Sequence, residues 1–130
     1  MKKITLILTA ILFIASCSQK KTLTDNLNGK WYVYKLLKDN IDKTAVAPYS
    51  DTIKNYSIEF TSGGTFTETY TLPTIADTTT VSGTWSFENN NEILALNDTI
   101  NLKRSYTIFN LEGNHVELRR GGQNRYLRKY

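Results

Sequence analysis

Residues 60–72 read Phe-Thr-Ser-Gly-Gly-Thr-Phe-Thr-Glu-Thr-Tyr-Thr-Leu. From Thr65 onward threonine fills every second position, while Phe66, Glu68, Tyr70 and Leu72 fill the others. A period of two is that of a strand with one buried face and one wet face, and β-branched and aromatic residues suit such a pleated surface. Upstream, Thr61-Ser62-Gly63-Gly64 carries glycines that accept positive φ, and Tyr56 to Phe60 precedes it as a second strand-like run. The pair therefore reads as a β-hairpin. Glu68 is the charged member of the apolar phase. A carboxylate aimed into a core needs a partner such as an arginine or a tyrosine hydroxyl, so Glu68 belongs either to a structural network or to a group that orients a ligand.

Working outward, the remaining chain repeats this pattern. Strand-like runs cover Trp31 to Leu37, Thr79 to Phe87, Glu92 to Leu96, Ile100 to Leu111, His115 to Arg120 and Asn124 to Lys129, which makes eight with the hairpin. Asn89-Asn90-Asn91, Glu112-Gly113-Asn114 and Gly121-Gly122 punctuate them as turns. Residues 38–54, with Pro48, form a long connection with room for a short helix. The later connections are short, so successive strands pair as an antiparallel meander. Closing a meander into a barrel removes both exposed edges, and eight strands enclose an interior that side chains nearly fill or that holds one small ligand. The expected fold is all-β, an up-and-down meander of about eight strands closed into a small barrel.

Gly29-Lys30-Trp31 at the head of the first strand resembles the Gly-x-Trp signature of lipocalins. The likeness continues through Phe60-Thr-Ser-Gly-Gly-Thr-Phe66, Gly83-Thr-Trp85, Leu94-Ala-Leu96 and the hairpin from Tyr106 to Leu118. In order and spacing this series is similar to the lipocalin-like lipoprotein domains of Bacteroidota. The resemblance implies a lipocalin-like barrel whose core signature is Gly29, Trp31, Phe60, Phe66, Gly83 and Trp85, with the first tryptophan plugging the closed end. It also implies a non-enzymatic module that takes a small apolar or amphipathic ligand at the open end, for which the candidate contacts are Glu68, Tyr70 and Tyr106. The alternative is an interaction, assembly or inhibitor module of the cell envelope. It would use Tyr32 and Tyr34, which alternate with Trp31 and so face outward, together with the basic residues Arg119, Arg120, Arg125, Arg128 and Lys129 of the last hairpin.

The amino end carries a separate message. Lys2 and Lys3 precede an apolar run from Ile4 to Ala15, and the small residue Ser16 stands before Cys17. This is the order of a charged region, an apolar region and a cleavage site in an export signal, and twelve residues fall short of the about twenty that a membrane span requires. Ile14-Ala15-Ser16-Cys17 resembles a bacterial lipobox, which implies cleavage before Cys17, acylation of its thiol and anchoring in membrane lipid. Cys17 is the single cysteine, so it forms no intramolecular disulfide. The expected organisation is a signal peptide over residues 1–16, a lipidated cysteine and flexible tether over 17–28, and a barrel domain over 29–130. The second position after cleavage lacks the aspartate that marks inner-membrane retention in many lipoproteins, and Lys20 and Lys21 precede the first acid, Asp25. An outer-membrane anchor with the domain facing the periplasm is therefore expected.

Composition excludes several chemistries. Taking residues 1–16 from 130 leaves 114, one domain, with 14 basic against 12 acidic side chains, too small an excess to expect nucleic acid as a partner. His115 is the sole histidine, beside a turn, so neither a metal nor another cofactor is expected. No Gly-x-Ser-x-Gly elbow occurs. Glu59, Glu68, Glu88 and Glu117 lie on strands, and a glycosidase would need two of them facing a common cleft; most are expected to face solvent, and the chain reads as a non-enzyme. Cys17→Ser removes the acceptor thiol, so metabolic labelling with a fatty-acid analogue should mark the wild-type protein and leave the variant blank; equal labelling would overturn the lipoprotein assignment.

Overall fold

A computed structural model describes residues 21–71, 77–100 and 102–129. The expected signal peptide, Cys17, Leu72 and Tyr130 lie outside the described residues. Nine strands succeed one another: β1 (Gly29–Lys38), β2 (Ile41–Asp42), β3 (Ser57–Phe60), β4 (Thr65–Thr71), β5 (Thr78–Glu88), β6 (Ile93–Asp98), β7 (Lys103–Glu112), β8 (His115–Arg120) and β9 (Gln123–Lys129). Helix α1 is described over residues 21–27, and α2 spans Tyr49–Lys54 within the long connection.

From β3 to β9 each strand pairs antiparallel with the next, and β1 pairs antiparallel with both β3 and β9. The sheet therefore closes into an eight-stranded barrel, with the two-residue β2 appended to the far end of β1. The all-β closed meander is the fold that the alternation implied, with that one short strand added. Gly121 and Gly122 both take positive φ, as a two-residue hairpin turn between β8 and β9 demands.

Strand β1 carries an irregularity between Val33 and Lys35. A bulge adds a residue to one side of a ladder and shifts the phase of the residues beyond it. Trp31 and Val33 are buried before it and Leu36 after it, so the core side passes from odd to even positions. Leu36 lies opposite Arg125 of β9, and Val33 lies opposite Leu127.

The closed end is packed with Trp31, Phe60, Phe66 and Leu127, with Trp85 beside them. Trp85 makes edge-to-face contacts with Phe60 and Phe87, a geometry that favours aromatic pairs beyond their burial. Its indole N–H donates to the Thr61 carbonyl at 3.1 Å, fastening the β3–β4 turn to β5.

Residues 17–28, expected as a flexible tether with the domain starting at Gly29, require correction over their described part. Residues 21–27 are helical, Leu27 is fully buried, and Leu23 packs against the core. Leu23 and Leu27 stand four apart, which places them on one helical face. Two apolar residues among polar ones make no sustained period, yet they suffice to plug a barrel end. The Trp31 indole N–H donates to the Leu27 carbonyl at 2.7 Å, and Lys129 Nζ donates to the carbonyls of Asn26 and Asn28 at 3.0 Å each. The plug thus satisfies a buried donor that the barrel alone would leave bare.

At Gly83, opposite Phe66 of β4 and Asp98 of β6, a Cβ would run into the carbonyl oxygen of Asn97 and lie 2.7 Å from the Cα of Asp98. Both obstacles are backbone, so neither can swing aside. Gly83→Ala should destabilise by about 3 kcal/mol through overpacking, read as a lower urea midpoint, whereas Gly63→Ala, whose Cβ meets nothing nearer than 3.7 Å, should stay within about 0.5 kcal/mol of wild type.

Candidate functional site

The other end of the barrel is where the strand pattern admits charge. The inward phase of β4 runs Phe66, Glu68, Tyr70, that of β7 runs Arg104, Tyr106, Ile108, and that of β9 runs Arg125, Leu127. In each strand an apolar residue at the closed end gives way to a polar or ionic one towards the mouth. Glu68, Tyr70, Arg104 and Arg125, together with Tyr56 just before β3, line a cavity of about 320 Å³. Its outer wall is apolar, from Val81 of β5 and from Ile100 and Leu102 in the β6–β7 connection. A second cavity, of about 170 Å³, lies under α2 and shares Thr52, Tyr56 and Arg125 with the first.

Glu68 is 2% exposed, and both of its oxygens are engaged. The Tyr56 hydroxyl donates to Oε1 at 2.6 Å, and Arg104 Nη2 lies 2.6 Å from Oε2. Since β5 and β6 intervene between β4 and β7 in the sheet, this ion pair ties strands that are not neighbours. Burial penalises the charged form of Arg104, but the hydrogen bond and charge of Glu68 outweigh it and raise the guanidinium above its ordinary range. Burial, and after it the Glu68 charge, pushes the Tyr56 phenol well above its ordinary range. Tyr56 is thereby kept a neutral donor to the carboxylate.

Arg125 sits differently. Its guanidinium carbon lies 5.5 Å from the Tyr56 ring centre and 5.9 Å from that of Tyr106, and its Nη2 donates to Gln123 Oε1 at 3.5 Å. Among the described residues no carboxylate forms an ion pair with it. Burial again disfavours its charge, and the Tyr56, Tyr106 and Glu68 groups offset that penalty. Asp98, also buried, spends Oδ1 on the backbone N–H groups of Ile100 and Leu102 at 3.1 and 3.0 Å.

The structure brings Glu68 and Tyr70 to the cavity wall, and Tyr106 is buried beside it between Arg125 and Arg120. Gly29, Trp31, Phe60, Phe66 and Trp85 lie at the closed end, and Gly83 is at the β5–β6 contact. Tyr56, Arg104 and Arg125 are site residues that the sequence reading did not single out. Alternation with Tyr106 and Leu127 was the available signal for the two arginines. The basic residues of the last hairpin, named for the interaction alternative, do not share one face. Arg125 and Lys129 share the inward phase with Leu127, while Arg128 lies over the outward Tyr34 ring at 4.8 Å. Glu117, one of the four strand glutamates of which most were expected to face solvent, is buried on the outer side of β8 because Arg119 Nε and Asn124 Nδ2 cover its Oε1 at 2.6 and 3.3 Å. His115 is exposed beside Tyr34, and among the described residues no three His, Cys, Asp or Glu side chains converge as a metal site.

The family model for the lipocalin-like domain matches residues 27–118, most of the chain. The chain belongs to the lipocalin-like domain family. Two solved structures have the same fold. A lipocalin-like protein from Bacteroides uniformis is 16% identical with a TM-score of 0.59, and the match covers 81% of this chain and 99% of that one. An uncharacterized protein from Bacteroides eggerthii is 11% identical with a TM-score of 0.58, covering 80% and 99% respectively. No curated protein matches the sequence. In this lipocalin-like barrel, the family match starts at Leu27, the residue that plugs the closed end.

The Glu68–Arg104 pair makes a clear mutational contrast. Glu68→Ala strands a half-buried guanidinium and should cost about 3–5 kcal/mol in unfolding free energy. The double variant Glu68→Leu with Arg104→Met should recover most of that loss in the same denaturation experiment, because a well-packed apolar pair can replace a buried ion pair.

Proposed function

We propose that this protein is a membrane-anchored binding module that holds one small amphipathic molecule in the open end of its barrel. The observation that carries this reading is the cavity of about 320 Å³ at the mouth, within the range of about 300–1,000 Å³ typical of small-molecule sites. Such sites are mostly apolar with a few convergent polar groups. Here Val81, Ile100, Leu102 and the half-buried Tyr70 supply the apolar wall, and Glu68, Arg104, Tyr56 and Arg125 supply the polar groups. Ile100 and Leu102 stand 68% and 57% exposed at the rim, where an entering apolar chain would cover them.

The outer face supports an assembly role less well. Its aromatic residues are already engaged by the chain's own cations: Arg128 covers Tyr34, Lys35 lies over Tyr126 at 5.3 Å, and Arg119 stacks on Phe109 at 3.6 Å. Acylation at Cys17 and an outer-membrane anchor with the barrel in the periplasm complete the proposal, resting on the lipobox-like residues and the segment after them.

Native mass spectrometry of the protein extracted from its own membrane tests this directly. The expected spectrum contains the acylated chain plus a small molecule that leaves on denaturation. A chain that carries only its acyl groups, or one bound to a protein subunit with no small molecule, would overturn the reading.

A further inference from the structure

The cavity wall holds more cationic donors than the chain itself uses. Glu68 has both oxygens engaged, by Arg104 and Tyr56, and Asp98 is turned to the amides of its own loop. Glu68 and Asp98 balance Arg104 and Arg125 in formal charge along the wall, yet of the two arginines Arg104 alone stands in an ion pair among the described residues. Arg125 is the arginine without a carboxylate partner among the described residues, and it borders both cavities.

A guanidinium withdrawn from water is costly unless compensated, and at Arg125 the compensation comes from the Tyr56, Tyr106 and Glu68 groups, with no carboxylate in direct contact among the described residues. Unspent donors of this kind, aimed into a cavity, match an acceptor that arrives with the ligand. A guanidinium presents a planar fork that fits a carboxylate in two-point contact. The one guanidinium of the wall that stands outside an ion pair among the described residues fits one carboxylate.

We infer that the bound amphiphile is a monoanion whose carboxylate docks on Arg125, with its apolar tail running along Val81, Ile100 and Leu102 to the mouth. This rests on the proposed ligand-binding role and names the chemistry of the ligand's head. Arg125 on this view costs the free protein stability. Its replacement by an apolar residue of similar length should leave the thermal midpoint unchanged or raise it, whereas a structural arginine would lower it when lost.

The test compares octanoate with octanol, which share a tail and differ in the head. Titration calorimetry is run on the full membrane-extracted protein in phosphatidylcholine nanodiscs, with empty discs as reference. The wild type should bind octanoate at least about tenfold more tightly than octanol, the scale of a charged hydrogen bond. Arg125→Met should abolish that preference, keep octanol binding and not lower the thermal midpoint. Arg125→Lys, which keeps the charge and loses the fork, should retain part of the preference. Equal affinities for the two probes in the wild type, an unchanged preference in Arg125→Met, no preference left in Arg125→Lys, or a lowered midpoint in Arg125→Met would each overturn the anionic head while leaving the cavity reading intact. Binding of neither probe would overturn the cavity reading itself.

Discussion

Strand β1 is hydrogen-bonded along both of its edges, to β3 on one side and β9 on the other, and the rest of the molecule depends on that double pairing. Without it the chain would be an open sheet with two bare edges and a one-sided core. The bulge between Val33 and Lys35 lets one strand serve both neighbours while the barrel curves. It also re-phases the inward residues so that Leu36, opposite Arg125, faces the mouth. A local irregularity in one strand thereby helps to set the chemistry of the cavity.

The interior is divided along its axis into two regimes. At the closed end, aromatic and aliphatic side chains dominate the packing, with Lys129 Nζ 5.1 Å from the Trp31 ring centre, and stability there comes mainly from apolar burial. Towards the mouth, the Glu68–Arg104 pair and the Tyr56 hydroxyl replace apolar packing with a directional network. Buried ion pairs seldom add net stability relative to a well-packed apolar alternative. Among the described residues the inward-facing ion pair lies at the cavity, which places the polar investment where a ligand would meet it.

Most of the architecture was legible from the alternation of residues. All eight barrel strands appear near the strand-like runs, although Ile100 and Leu102, read as the start of a strand, lie in the β6–β7 connection, and the connection with Pro48 holds α2. Glu68 was legible as an inward carboxylate with an arginine or tyrosine for partner, because it shares a phase with Phe66 and Tyr70. Its partner arginine was not, since pairing across the barrel joins β4 to β7 and depends on closure geometry that no local pattern encodes. Arg125 was hidden among basic neighbours whose alternate phases point in opposite directions. The α1 plug was hidden for a different reason: two leucines in a polar segment form too short a pattern to announce a helix, and their burial becomes favourable only once a barrel end exists to receive them.

The plug also gives the molecule a polarity. Residues 21–27 enter the barrel at the pole opposite the cavity, and the four Cα-to-Cα steps from Cys17 to Lys21 reach at most about 15 Å when fully extended. A chain held to a bilayer at Cys17 would rest on its sealed pole with its mouth directed at the aqueous phase. Cargo would then be exchanged with whatever approaches from solution and would not slip directly out of the supporting leaflet, so the barrel would work as a cup standing on the membrane.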